Sequence, residues 1–189
     1  MSVGIRRFAV VIRGLSPILF HRNSPEMEEL LAKARNNEAK QKIEEENYEL
    51  YLYLDGGKPY IPALMLQRCL VEAAKNFQER GRGKKSYKNV VGGGLVAIAE
   101  EKIPIATRSG WKPNKMYVRV QNNRVLRCRP QIDDWAAEFT LLIDGSIDYN
   151  VIRNIVEYAG IYCGLGDFRP QKGGPFGRFK VEKFEEVKK

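Results

Sequence analysis

Ile5-Arg-Arg-Phe-Ala-Val-Val-Ile-Arg-Gly-Leu15 is the stretch on which the fold turns. Phe8 to Ile12 (FAVVI) is β-branched and aromatic, and Gly14 and Pro17 punctuate its end, the signature of a buried strand. Beyond it, from Ser24-Pro25 to about Glu46, Met27, Leu30, Leu31 and Ala34 recur at helical spacing and apolar content then fades, which predicts a protruding helix. Tyr48 to Leu54 (YELYLYL) alternates, Asp55-Gly56-Gly57 supplies a turn and Lys58 to Ile61 returns, so a small hairpin is expected. Its strand would place Tyr51 and Tyr53 on one face and Leu50, Leu52 and Leu54 on the other; the tyrosines could stack bases, and a half-buried amphipathic hairpin explains them equally well. Pro62 suits the first position of a helix whose apolar face is Leu64, Leu66, Leu70, Val71, Ala74 and Phe77.

Arg80 to Asn89 (RGRGKKSYKN) reads as a basic, flexible loop, and Gly92-Gly93-Gly94 leads into a second core strand near Leu95 to Ile105. Met116 to Val120 and Val125 to Arg129 flank Asn122-Asn123 as a second hairpin. Trp135 to Ile143 is the third core strand. Tyr149 to Ala159 is a second core helix with Val151, Ile152, Ile155 and Val156 inward, and Phe176 to Phe184 is the last strand. Without the insertions at about 23–61 and 106–131, the order is strand, helix, strand, strand, helix, strand. That predicts an α+β class, a ferredoxin-like or RRM-like βαββαβ core forming a single domain over 1–189.

Composition narrows the function. The 189 residues carry 32 Lys plus Arg against 23 Asp plus Glu, which favours a polyanionic partner, nucleic acid or an anionic membrane surface. No apolar stretch reaches the length of a signal-peptide core or a membrane span, so a cytoplasmic protein without a membrane partner is expected. Cys69, Cys128 and Cys163 lie far apart without a CxxC pair and read as reduced thiols. No metal site or other cofactor is expected.

The strongest functional signal is charge segregation. Between Glu101 and Asp133 no acidic residue occurs, while Lys102, Arg108, Lys112, Lys115, Arg119, Arg124, Arg127 and Arg129 do. Trp111 and Tyr117 stand among them, the mixture of cation and flat ring that suits phosphate contact with base stacking. Arg80, Arg82, Lys84, Lys85 and Lys88 of the basic loop, with Arg22 and Arg68, complete the expected phosphate-binding set. The bland alternative is a solubilising β-surface with ordinary edge-strand cations.

A second signal is Gly164-Leu-Gly-Asp-Phe-Arg-Pro-Gln-Lys-Gly-Gly-Pro-Phe-Gly-Arg-Phe179, which sets Gly164, Gly166, Gly173, Gly174 and Gly177 around Arg169, Lys172 and Arg178. Glycines allow backbone N–H groups to approach phosphate oxygens. The segment is neither a P-loop nor a dinucleotide fingerprint, and the bland alternative is a glycine-rich turn that merely reverses the chain. His21 is the only histidine, so a Ser-His-Asp triad would depend on it, and no nucleophile elbow accompanies it. It could serve as a general base in metal-free RNA cleavage, with Arg22 or Tyr60 stabilising charge, or simply be a structural or ligand-contacting residue. Glu44, Glu45 and Glu46 point in different directions on a helix and read as a solvated face.

Three pieces then coincide with a known pattern: Gly14-Leu-Ser-Pro-Ile-Leu19 after the first strand, Pro59-Tyr-Ile-Pro62 followed by Leu64 to Leu70, and Gly164 to Phe179 before the last strand. The chain resembles the RAMP superfamily, the RRM-like proteins of CRISPR systems, most closely the backbone subunits that polymerise along a guide RNA. The resemblance implies that the Lys112 to Arg129 hairpin is a thumb bending over the strand, and that subunits form a helical homo-oligomer or filament. The chain departs from the pattern where it reads Ala63-Leu-Met-Leu-Gln-Arg68 in place of a Gly-Ser-Ser-Leu-Lys-Gly type opening. No Asp occurs between His21 and Leu54, where slicing members carry one. The expectation is a non-catalytic protein holding single-stranded nucleic acid, RNA or DNA. The alternatives are a metal-independent endoribonuclease using His21, or a module that binds an acidic protein.

Overall fold

The computed structural model describes residues 4–79, 81, 83–120 and 123–187. Strand β1 (Ile5–Gly14) alternates as a half-covered strand must, with Phe8, Val10 and Ile12 buried. It lies antiparallel between β9 (Ala136–Asp144) and β10 (Phe179–Glu186), with a register shift against β10 between Val11 and Ile12. On its far side β9 pairs with β5 (Val96–Ile98) and β6 (Lys102–Ala106). Next to β6 comes a hairpin of β4 (Lys58–Pro62) and β3 (Leu54–Asp55). The main sheet therefore runs β10-β1-β9-β6-β4-β3, with β5 also on β9.

The apolar side of this sheet packs against two helices. Leu66, Leu70 and Ala73 of α3 (Ala63–Ala74) and Ile152, Ile155 and Val156 of α5 (Tyr149–Tyr158) join Phe8, Val10, Ile12, Phe139 and Leu141 in one core cluster. Each such Ile, Leu or Phe contributes about 1.5–3 kcal/mol on burial. Helix α5 starts at Asp148, whose carboxylate accepts the Asn150 N–H at 2.9 Å, and runs on into a π turn, Ala159–Cys163. The α+β class expected from the sequence is what forms. All three cysteines are free and buried, and among the described residues no helix is long and apolar enough to cross a membrane.

A second sheet stands beside the first. It consists of β2 (Ile18–Leu19), β8 (Asn123–Ile132) and β7 (Lys112–Val120) in the order β2-β8-β7, so the basic hairpin is longer than its sequence pattern suggested. Its turn residues 121 and 122 lie outside the described residues.

Several expected elements form differently. The helix read from 24 to 46 is two helices, α1 (Pro25–Ala32) and α2 (Asn37–Glu46). Asn36 breaks it: extended at φ −153°, it caps α2 by accepting the Ala39 N–H at 2.8 Å. Tyr48–Tyr51 is a 3-10 turn instead of a strand, and both Tyr51 and Leu52 are buried, so the alternating-face reading fails. Pro62 is the N-cap of α3 instead of its first residue, and Leu64, expected inward, is exposed. The second core strand is split into β5 and β6. In the basic loop, Lys88 opens a short helix, α4 (Lys88–Gly92), and a bridge between Gln78 and Ser86 closes the excursion.

Candidate nucleic-acid interface

Helix α3 and the glycine-rich loop after the π turn form the two walls of an open cleft of about 540 Å³. Leu64, Arg68 and Val71 recur at i, i+4 and i+7, so one stripe of α3 lines it. Gly164, Gly166, Arg169 and Gln171 line it from the loop, and Tyr53 also borders it. Of the residues singled out from the sequence, Arg68 and Arg169 are thereby brought together. Tyr53 is one of the rings the sequence offers for base stacking, whereas Leu64 and Gln171 were missed, Leu64 because the helix period assigned it to the core.

The loop's glycines serve packing. Gly177 has φ +72°, and a Cβ there would lie 1.8 Å from the Leu165 carbonyl oxygen. That approach is what lets the Leu165 N–H donate to the Gly177 carbonyl at 2.9 Å. The N–H groups of Gly173, Gly174 and Gly177 donate to Pro170, Arg169 and Pro17 at 2.9, 3.0 and 2.7 Å. The first two are turned into the loop and the third onto the β1–β2 connection, so the picture of glycine N–H groups open to phosphate does not describe them. What the loop presents is side chains: Arg169 is held by Gly166 O at 3.0 Å and Gln171 Oε1 at 3.1 Å, while Lys172 and Arg178 are exposed.

Beside the loop lies a polar cluster. Asp167 pairs with Leu19 of β2 and accepts Arg129 Nε from β8 at 2.8 Å. Arg129 Nε also reaches His21 Nδ1 at 3.3 Å, and the His21 ring packs on Tyr51 with centroids 4.4 Å apart. Burial first, then the Arg129 charge, lower the His21 pKa, with Asp167 opposing. These surroundings favour the neutral ring, and the Arg129 contact engages Nδ1. Arg22 pairs with Glu26 at 3.4 Å.

The hairpin's cations are more compensated than the sequence suggested. Lys112 meets Asp133 at 2.5 Å, Lys115 meets Glu45 at 2.7 Å, and Arg127 pairs with Glu44. Glu44 is 2% exposed, which overturns its reading as part of a solvated face. It also takes the Tyr51 hydroxyl, whose pKa burial and that carboxylate push up to about 12. Trp111 donates Nε1–H to Glu49 at 3.1 Å and packs against the core. Tyr117 is 67% exposed, with the Arg124 guanidinium 5.9 Å from its ring centre. Arg108, Lys84, Lys85 and Lys88 are exposed; Arg80, Arg82 and the side chain of Arg119 lie outside the described residues.

No protein-family model matches this chain, and no curated protein matches it. Among solved structures, a chain of the Type III-B Cmr-beta complex, determined by cryo-EM bound to cognate target RNA, shares the fold. The TM-score is 0.60 over 97% of this chain at 13% identity, and this chain spans 61% of that neighbour's length.

Proposed function

We propose that this chain is a single-stranded RNA-binding protein of the RAMP superfamily, non-catalytic, working as repeated copies along one strand. The observation that carries the reading is the cleft in which Arg68 of α3 and Arg169 of the glycine-rich loop share an opening with the exposed Leu64. Two guanidiniums beside apolar surface suit a phosphodiester with its base, and the Glu72 carboxylate that also lines the cleft is compensated by Lys75 at 2.6 Å. The strand order β10-β1-β9-β6, with α3 and α5 as the crossovers, supports a ferredoxin-like core and one RRM-like unit over 1–189. The fold likeness to a chain from an RNA-bound complex favours RNA over DNA. The exposed Tyr117 and Arg124 on the hairpin add a stacking platform, and Lys84, Lys85, Lys88, Lys172 and Arg178 are further exposed cations. The neutral His21, engaged at Nδ1, supports a structural role over that of a general base.

Fluorescence anisotropy with labelled single-stranded RNA, single-stranded DNA and duplex of equal length, in EDTA at several salt concentrations, tests this. With about four to six phosphates neutralised, the log–log salt slope is near three to four. Replacing Arg68 and Arg169 together lowers it by about 1.4 on the same ~0.7-per-phosphate rule. A flat salt response contradicts the reading, and tighter binding of DNA moves the assignment to a DNA-coating protein. RNA cleavage in EDTA that disappears in His21→Ala establishes the nuclease instead.

A further inference from the structure

Asp167 is a carboxylate inside a segment proposed to hold a polyanion, where a negative charge weakens binding unless it does something else. Its two oxygens are both engaged. Oδ2 pairs at 2.8 Å with Nε of Arg129, whose side chain is 10% exposed on β8. Oδ1 accepts the N–H of Phe168 at 2.9 Å. Its own N–H donates to Leu19 O at 2.8 Å.

Phe168 is the non-glycine residue with positive φ, +47°, among those described. A bulky side chain in that region persists only where its surroundings over-determine it. The surroundings are visible: Asp167 holds its N–H, and its carbonyl accepts Phe176 N–H at 3.3 Å where Gly174 passes too closely for any Cβ. The residue that follows this forced turn is Arg169, the loop's guanidinium in the cleft. Arg129 is too buried to meet a ligand itself, so its charge serves Asp167 and His21.

We propose that Asp167 is a positioning residue: gripped by Arg129 at the base of the hairpin, it locks the left-handed turn at Phe168 and thereby aims Arg169 into the RNA cleft. This role rests on the RNA-binding reading above. It also ties the two candidate surfaces together, since Arg129 and Arg124 belong to the same hairpin strand, β8.

The sign of the effect separates this role from simple electrostatics. Removing a negative charge beside bound RNA tightens binding, whereas loosening the turn weakens it. Anisotropy with single-stranded RNA is measured for the full chain, Asp167→Asn, Arg169→Ala and the double variant, with thermal unfolding of each. Expected are a loss of about 5- to 30-fold for Asp167→Asn, a salt slope smaller by about 0.7, and less than a further 2-fold loss on adding it to Arg169→Ala. Should Asp167→Asn fail to fold, Arg129→Lys keeps the charge while losing the Nε contact, and the same loss is expected. Unchanged or tighter binding in the folded variant, or losses that simply add in the double, overturns the role while leaving RNA binding intact. Absence of RNA binding by the unaltered chain removes the functional reading and this role with it.

Discussion

Replacing Glu44 with alanine strips the partner from Arg127 where α2 meets β8. The size of the effect follows from the burial of the two groups. Exposed pairs are worth about 0–1 kcal/mol, but removing one partner of a buried pair costs about 3–5 kcal/mol, because the remaining charge is uncompensated. Here the Glu44 side chain is 3% exposed and that of Arg127 is 29% exposed, so Arg127 regains part of its hydration and the cost sits near the lower end. The Tyr51 hydroxyl, at 3.3 Å, loses its acceptor as well. The expected total is about 3–4 kcal/mol, or roughly 6–15 °C in Tm for a chain of this size. Urea unfolding followed by far-UV circular dichroism at pH 7 measures it, in 0.1 and 1 M salt, and most of the loss persists at 1 M because the Glu44 carboxylate is buried. Adding Arg127→Met to Glu44→Ala restores much of the stability, giving a coupling of at least about 1.5 kcal/mol. A loss below about 1 kcal/mol for the single variant, or additivity in the double, refutes the argument that this buried pair fastens the inserted helices to the hairpin.

Gly177→Ala meets both a positive φ and the Leu165 carbonyl, so it lowers stability by at least about 3 kcal/mol, read as a fall in urea midpoint with the slope unchanged. The lowered pKa of His21 makes the folded state reluctant to take a proton that the unfolded chain accepts below about 6.5. Stability therefore falls as pH drops through that value toward the folded pKa, and His21→Gln flattens that part of the profile; an identical profile in the variant contradicts it. Tyr117→Ala weakens single-stranded RNA binding by about 1–3 kcal/mol with no change in salt slope, since stacking releases no counterions. A changed slope there would mean that the residue acts through phosphate contacts.

The core was legible where local pattern and burial agree. The run Phe8 to Ile12, the face of α5 and the order of the core elements could be read because alternation and helical period are sequence-local signals. What escaped was set by partners distant along the chain. Glu44 looked solvated because nothing near it in sequence announces Arg127 on β8. Tyr48 to Leu54 alternates like a strand, yet Tyr51 is claimed by His21 and Glu44, and the segment tightens into a 3-10 turn to deliver it. The hairpin's run of cations was plain, but its neutralisation by Asp133, Glu44 and Glu45 was not, and so the cleft of Arg68 and Arg169 emerged only from the packing of α3 on the loop. Asn36 carried a readable stop signal, since an asparagine pair within a polar helical run is a ready cap.

The position of β1 in the sheet bears on how the protein is made. Val10 pairs with Phe139 on one side and Phe184 on the other, so the central strand is synthesised long before either neighbour. At ordinary translation rates it waits on the order of 10–30 s, with both backbone edges and its apolar residues open to association with other nascent copies. Arg6, Arg7 and Arg13 bracket that apolar run, and in the finished protein Arg6 and Arg13 are taken up by Glu186 and Glu182 of the last strand to arrive. The same arginines thus act first as gatekeepers against aggregation and afterwards as latches on β10, and neutralising them should cost soluble yield well before it costs stability.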